Sequence, residues 1–154
     1  MKKAVNQWAF PGNFSIPDII QLAGKHRFDG IELCPDEEGI FPLKIEQHKL
    51  KEWKVLSEEK NLKICSIASG LHWKYNLASP NSETRKKAID VAKRLIEIAS
   101  ILEAKSILLI PGFVNVPWDP SSEVVSYETA YDNSHLSISE IAQFAADAKV
   151  SLGL

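Results

Sequence analysis

Apolar and polar positions along this chain switch between two periods. Short runs dense in apolar residues fall at 4–9, 30–34, 62–68, 106–110 and 150–154, as expected of strands buried in a parallel sheet. Four segments of helical period separate them. In the first, Ile16, Ile19, Ile20 and Ala23 form one stripe, Ser15 can cap, Asp18 can complete a capping box, and Phe14 can staple to Ile19. The second, about 46–60, puts Leu50, Trp53 and Leu56 on one face. The third follows Ser79-Pro80, read as a cap and a first-turn proline, and carries Ala88, Val91, Ala92, Leu95, Ile98, Ala99 and Leu102. The fourth lines up Tyr127, Tyr131, Ser134, Ile138, Ile141, Ala145 and Ala148 from about Ser126; a competing start is Ser137, with Glu140 three residues on and Leu136 and Ile141 as a staple.

Strand and helix alternate with a repeat of roughly 30 to 45 residues, the size of a βα unit with extended loops. Right-handed crossovers then give a parallel sheet covered by helices, either an open doubly wound sheet or part of a (β/α)₈ barrel. The turn after the first run, Trp8-Ala9-Phe10-Pro11-Gly12-Asn13, lacks the glycine-rich fingerprint of a dinucleotide-binding sheet. The long loops, 35–45, 69–78 and 111–125, all follow strands, and the returns from helix to strand are short, which is the asymmetry of a barrel that builds its site at the carboxyl ends. Glu32 and Cys34 alternate against Ile31 and Leu33, so an acid points away from the helix-packing face. The expected fold is therefore α/β, a TIM barrel represented by four βα units and a fifth strand. A whole barrel needs eight units and roughly 200 to 250 residues. Open strand edges invite pairing, so residues 1–154 are expected to be the N-terminal half of a barrel or a half-barrel completed by a second chain.

Composition adds exclusions. Of 154 residues, 45% are hydrophobic and 25% charged, an ordinary globular balance. A net charge of −2 gives no reason to expect nucleic acid or an anionic membrane as partner. The most apolar stretch, 106–110, is far shorter than a bilayer span, and Met1-Lys2-Lys3 is not followed by a signal-type run; a cytoplasmic location is expected. Cys34 and Cys65 have no metal or disulfide spacing and read as reduced, partly buried thiols.

The series Gly30-Ile31-Glu32-Leu33, Ile64-Cys65-Ser66-Ile67-Ala68-Ser69-Gly70, Ser79-Pro80-Asn81-Ser82-Glu83-Thr84-Arg85-Lys86-Lys87-Ala88-Ile89 and Leu108-Leu109-Ile110-Pro111-Gly112 resembles the xylose isomerase-like TIM barrel family across essentially the whole chain. The resemblance implies an isomerase or epimerase of a sugar or sugar phosphate. In that branch two glutamates, an aspartate and a histidine hold Mn²⁺, Co²⁺, Mg²⁺ or Zn²⁺, the metal stabilises an enediolate, and the glutamates move the proton. Those ligands come from the fifth to eighth strands, so the resemblance implies that no metal is held by this chain alone and that the isolated chain is inactive. Two other readings are an endonuclease IV-type enzyme acting on damaged DNA, disfavoured by the charge, and a non-catalytic half-barrel that self-associates. The expected partners are a small sugar and either a further copy of the chain or a completing C-terminal half.

Candidate substrate-binding residues follow, each with a plainer alternative. Glu32 could orient a sugar hydroxyl, or be a buried acid paired with a basic side chain. His72 and Trp73, after the third strand, are read as substrate contacts; the endonuclease branch places a metal-binding histidine there, and a lone loop histidine is commonly just a surface hydrogen-bonding group. Trp8, with Phe10, ends the first strand and could stack on a sugar, or close the core. Ser69 and Gly112, with Gly70 and Pro111, mark turns where a ligand or backbone can come close, or where the chain simply reverses. Lys74 and 85–87 invite a phosphate but also suit a solvated face. Trp118 belongs to a loop long enough to act as a lid. His26, His48 and His135 are read as surface residues.

Overall fold

The computed structural model describes all residues, 1–154. Its strands are β1 (Ala4–Asn6), β2 (Gly30–Leu33), β3 (Lys63–Ile67), β4 (Ser106–Leu108) and β5 (Ser151–Gly153), and its helices α1 (Ile16–Lys25), α2 (Gln47–Glu59), α3 (Ser82–Ile101) and α4 (Tyr127–Ala148). The strands form one sheet in the order β1-β2-β3-β4-β5, every pair parallel. Four βα units and a fifth strand thus stand in consecutive order, a partial barrel.

One core lies between sheet and helices. Ile31, Leu33, Ile67 and Ile107 from the strands pack there with Ile16, Ile19, Leu50, Leu95 and Ile141 from the helices, all essentially inaccessible to water. Alternation then sends Asn6, Glu32, Ser66, Ser106 and Ser151 to the opposite, inner face. These five are successive register partners across the whole sheet, so every strand contributes one polar side chain to a single row.

The four returns from helix to strand share one device. Arg27, Asn61, Glu103 and Lys149 each have φ between 53° and 58°. The residue after each donates its N–H five residues back: Phe28 to Ala23, Leu62 to Ser57, Ala104 to Ala99, and Val150 to Ala145, at 2.9–3.1 Å. This is a Schellman motif used four times, with a non-glycine residue in the left-handed position every time.

Several boundaries differ from expectation. β1 stops at Asn6, because the Asn6 side chain accepts from the Trp8 N–H and turns residues Gln7–Ala9 into a 3-10 turn; Trp8 and Phe10 therefore lie beyond the strand they were expected to end. α3 is capped by Asn81, whose side chain accepts from Glu83 and Thr84, and not by Ser79-Pro80. α1 has the expected box between Ser15 and Asp18. α4 is the long helix starting after Ser126; the competing start is overridden because the Ser137 hydroxyl donates to the Leu77 carbonyl at 2.9 Å in the middle of the helix. Both cysteines are free, Cys34 buried and Cys65 partly so.

Candidate functional site

The carboxyl ends of the strands carry two groups of candidate side chains. The first is centred on Glu32. Its Oε1 accepts from Asn6 Nδ2 at 2.6 Å and its Oε2 from the Ser66 hydroxyl at 2.7 Å. Asn6 is itself fixed, its Oδ1 accepting from the Trp8 N–H and, at 3.6 Å, from Cys34 Sγ. None of the chain's ion pairs involves Glu32, so the reading as an acid neutralised by a basic partner gives way to a carboxylate held by neutral donors from both neighbouring strands. A carboxylate offers about four acceptor positions, and two hydrogen bonds leave room for a ligand hydroxyl. Burial, together with the Glu32 charge, pushes the neighbouring Cys34 thiol up to about 12, so it stays protonated and is a poor nucleophile.

A local irregularity brings Ser66 into place. The β2–β3 register skips one residue between Ile31 and Glu32, a bulge that turns Cys65 and Ser66 toward the inner face while Ile64 and Ile67 both face the helices. Cys65 Sγ lies 3.3 Å from where a Cβ on Gly30 would stand and donates to the Ile31 carbonyl at 3.2 Å.

The second group is an aromatic wall on the loops after β3 and β4. The Trp73 ring stacks on Phe113 at 6.0 Å and meets Trp118 edge-on at 5.2 Å. These rings border a cavity of about 540 Å³ that also has Lys74, Thr84 and Asp119 in its lining. Trp73 is 42% and Trp118 68% exposed, so both rings keep surface accessible beyond their mutual contacts. Lys74 and Tyr75 both donate to Glu37 on the loop after β2, and those bonds hold the Glu37 carboxyl below the usual range.

The remaining candidates fall elsewhere. Trp8 is 62% exposed on the turn after β1. Ser69 is buried, its hydroxyl donating to the Pro35 carbonyl and accepting from the Leu71 N–H, which ties two rim loops together. Gly112, at φ 145°, is needed for close packing within the protein: an added Cβ would stand 2.6 Å from Ala78 Cβ and 2.5 Å from Ser134 Oγ. His72 is not a surface group. It is 1% exposed, with Nε2 3.2 Å from the Ala88 carbonyl of α3, and burial depresses its pKa to about 4. The structure therefore joins Glu32 to Asn6 and Ser66, and Trp73 to Phe113 and Trp118, without joining His72 or Ser69 to either. Asn6, Ser66 and Phe113 were not singled out from sequence; for Asn6 and Ser66 the polar residue within each apolar run was the available signal, and nothing in the sequence marked Phe113. His26, His48 and His135 are exposed as expected, and no helix is long and apolar enough to cross a membrane.

Residues 20–154 match the family described as xylose isomerase-like TIM barrel. No curated protein matches the chain. Among solved structures, D-psicose 3-epimerase from Clostridium cellulolyticum H10, crystallised with D-tagatose, superposes with a TM-score of 0.80 at 17% identity, over 99% of this chain and 51% of that one. A D-tagatose 3-epimerase-like protein gives 0.77 at 23% identity, over 100% and 52%. The 3-keto-D-glucoside 4-epimerase of E. coli gives 0.70 at 20%, over 99% and 55%. The chain thus spans about half the length of these structures, and at such identities the likeness concerns the fold.

Proposed function

The chain belongs to the xylose isomerase-like TIM barrel family, and from that premise we propose that it contributes the substrate-binding side of an enzyme that isomerises or epimerises a ketose or ketose phosphate. The reaction is proton transfer next to the carbonyl, through an enediolate. What chiefly supports the reading is the Glu32 carboxylate, held on the inner face by Asn6 and Ser66 with acceptor positions to spare for a sugar hydroxyl. Trp73, with Phe113 and Trp118, supplies the apolar surface on which the C–H face of a sugar packs, and Trp8 is an exposed ring on the turn after β1. Fold neighbours whose names or ligands are D-psicose, D-tagatose and D-fructose suggest the substrate class.

No three His, Cys, Asp or Glu side chains converge in this chain as a cation site. A divalent metal serving the reaction would be held by other residues, and the 154-residue chain alone is expected to bind sugar without turning it over.

Titrating the chain with D-fructose or D-tagatose and following tryptophan fluorescence tests this. Saturable quenching, lost in Trp73→Ala and weakened at least tenfold in Glu32→Ala, is the expected result. Equal responses to D-fructose and to glycerol, or none to either, would overturn it.

A further inference from the structure

The two loops that bear the aromatic wall meet at one buried side chain. Asn76 is 1% exposed and uses its whole amide. Its Oδ1 accepts from the N–H groups of Ala78 at 2.9 Å and Phe113 at 3.2 Å, while its Nδ2 donates to the Phe113 carbonyl at 3.0 Å and to Glu123 Oε1 at 3.3 Å. An amide has two donor hydrogens and two acceptor lone pairs, so no hydrogen-bonding position is left over. Phe113 is thereby gripped by both of its backbone polar groups, much as a neighbouring strand would grip it.

The same contact closes the far end of the loop. The Ser79 hydroxyl donates to the other Glu123 oxygen at 2.8 Å, and the Val125 N–H donates to the Val114 carbonyl at 2.8 Å. Residues 115–122, with Trp118 among them, therefore rise from a stem pinned at both ends. Trp73 lies three residues before Asn76 in the same segment. With two of the three rings substantially exposed, ring stacking in water is a weak constraint, whereas the buried amide is a strong one.

We propose that Asn76 is the positioning residue of the wall: through Phe113 and Glu123 it sets the separation of the two loops and so the spacing of the Trp73, Phe113 and Trp118 rings. What the wall serves rests on the ketose reading; the clamp does not.

Two indoles 5.2 Å apart couple excitonically, which gives a circular-dichroism couplet that Trp118→Phe must abolish. In Asn76→Ala the couplet is expected to fall below half of the wild-type amplitude, with cooperative unfolding retained and the dissociation constant for D-fructose raised at least tenfold. Should that variant fail to fold, the isosteric Asn76→Asp, which keeps the acceptor and loses both donations, is read the same way. Ser137→Ala is the structural control. It removes the buried bond to the Leu77 carbonyl of the same segment, and is expected to lower stability with the couplet intact. A full couplet in both Asn76 variants would overturn the proposal, as would an equal loss in Ser137→Ala. If the couplet collapses as expected and the wild-type chain binds no D-fructose, the clamp stands and the ketose reading fails.

Discussion

The Ser66 hydroxyl donates to Glu32 at 2.7 Å across a bulge between their strands, so the position of the inner acid depends on a backbone irregularity. The bond is half-buried, and removing the donor leaves a carboxylate oxygen without a partner. Ser66→Ala is therefore expected to cost about 1–2 kcal/mol, read from urea unfolding. A double-mutant cycle with Glu32→Ala should give a coupling above about 0.5 kcal/mol; strictly additive losses would show that the contact contributes nothing.

The bulge also marks the limit of what the sequence discloses. In Lys63-Ile64-Cys65-Ser66-Ile67, plain alternation puts Ile64 and Ser66 on one face and Cys65 and Ile67 on the other. The inserted residue instead lets both isoleucines face the helices. Strand order and helix faces were legible because they rest on apolar spacing summed over many residues. Glu32 was legible because β2 itself alternates regularly; the extra residue of the bulge is Cys65, on β3. Asn6 was not, since a side chain that caps the next turn looks, in sequence, like one more residue of a strand. The burial of His72 was not legible for a related reason: the 3-10 turn Leu71–Trp73 carries its ring under α3, and no periodicity encodes the direction of a single turn.

Lys149 gives the cleanest test of the repeated Schellman motif. Its φ of 58° costs a residue with a Cβ about 1–2 kcal/mol, and glycine's looser unfolded chain takes back part of that gain. Lys149→Gly is expected to stabilise the chain by about 0.5–1 kcal/mol, seen as a higher midpoint in thermal or urea unfolding. Asn61→Gly should gain less, because asparagine already tolerates this conformation better than lysine does. A destabilised Lys149→Gly would contradict the strain argument.

Gly112 predicts the opposite sign. Its φ of 145° disfavours any side chain, and a Cβ there would overlap both Ala78 and Ser134. Gly112→Ala is expected to cost about 3 kcal/mol, from overpacking added to backbone strain. Because Ala78 is a second obstacle, trimming Ser134 to glycine in the same chain should restore only part of the loss. Full restoration would place the strain on Ser134 alone.

His72 makes stability depend on acid. The Ala88 carbonyl can only accept, so Nε2 carries the proton in the neutral ring, and Nδ1 is buried with no partner. Burial lowers the pKa to about 4 in the folded chain, from an ordinary value of 6.5. Between those two values the unfolded chain binds a proton that the folded chain refuses, so unfolding is favoured as pH falls. The stabilisation is present in full above pH 6.5 and is lost progressively down to about pH 4, for a total of about 3 kcal/mol. The interval from 6.5 to 5 is the informative one, because Asp18, Glu37 and Asp119, whose pKa values are lowered, begin to weaken the fold only at still lower pH. By pH 5 about 2 kcal/mol should be gone in urea unfolding. His72→Gln, which keeps a donor for the Ala88 carbonyl without a titrating ring, should be less stable at pH 7 and nearly flat between 6.5 and 5. An unchanged slope in that variant would assign the acid sensitivity to another group.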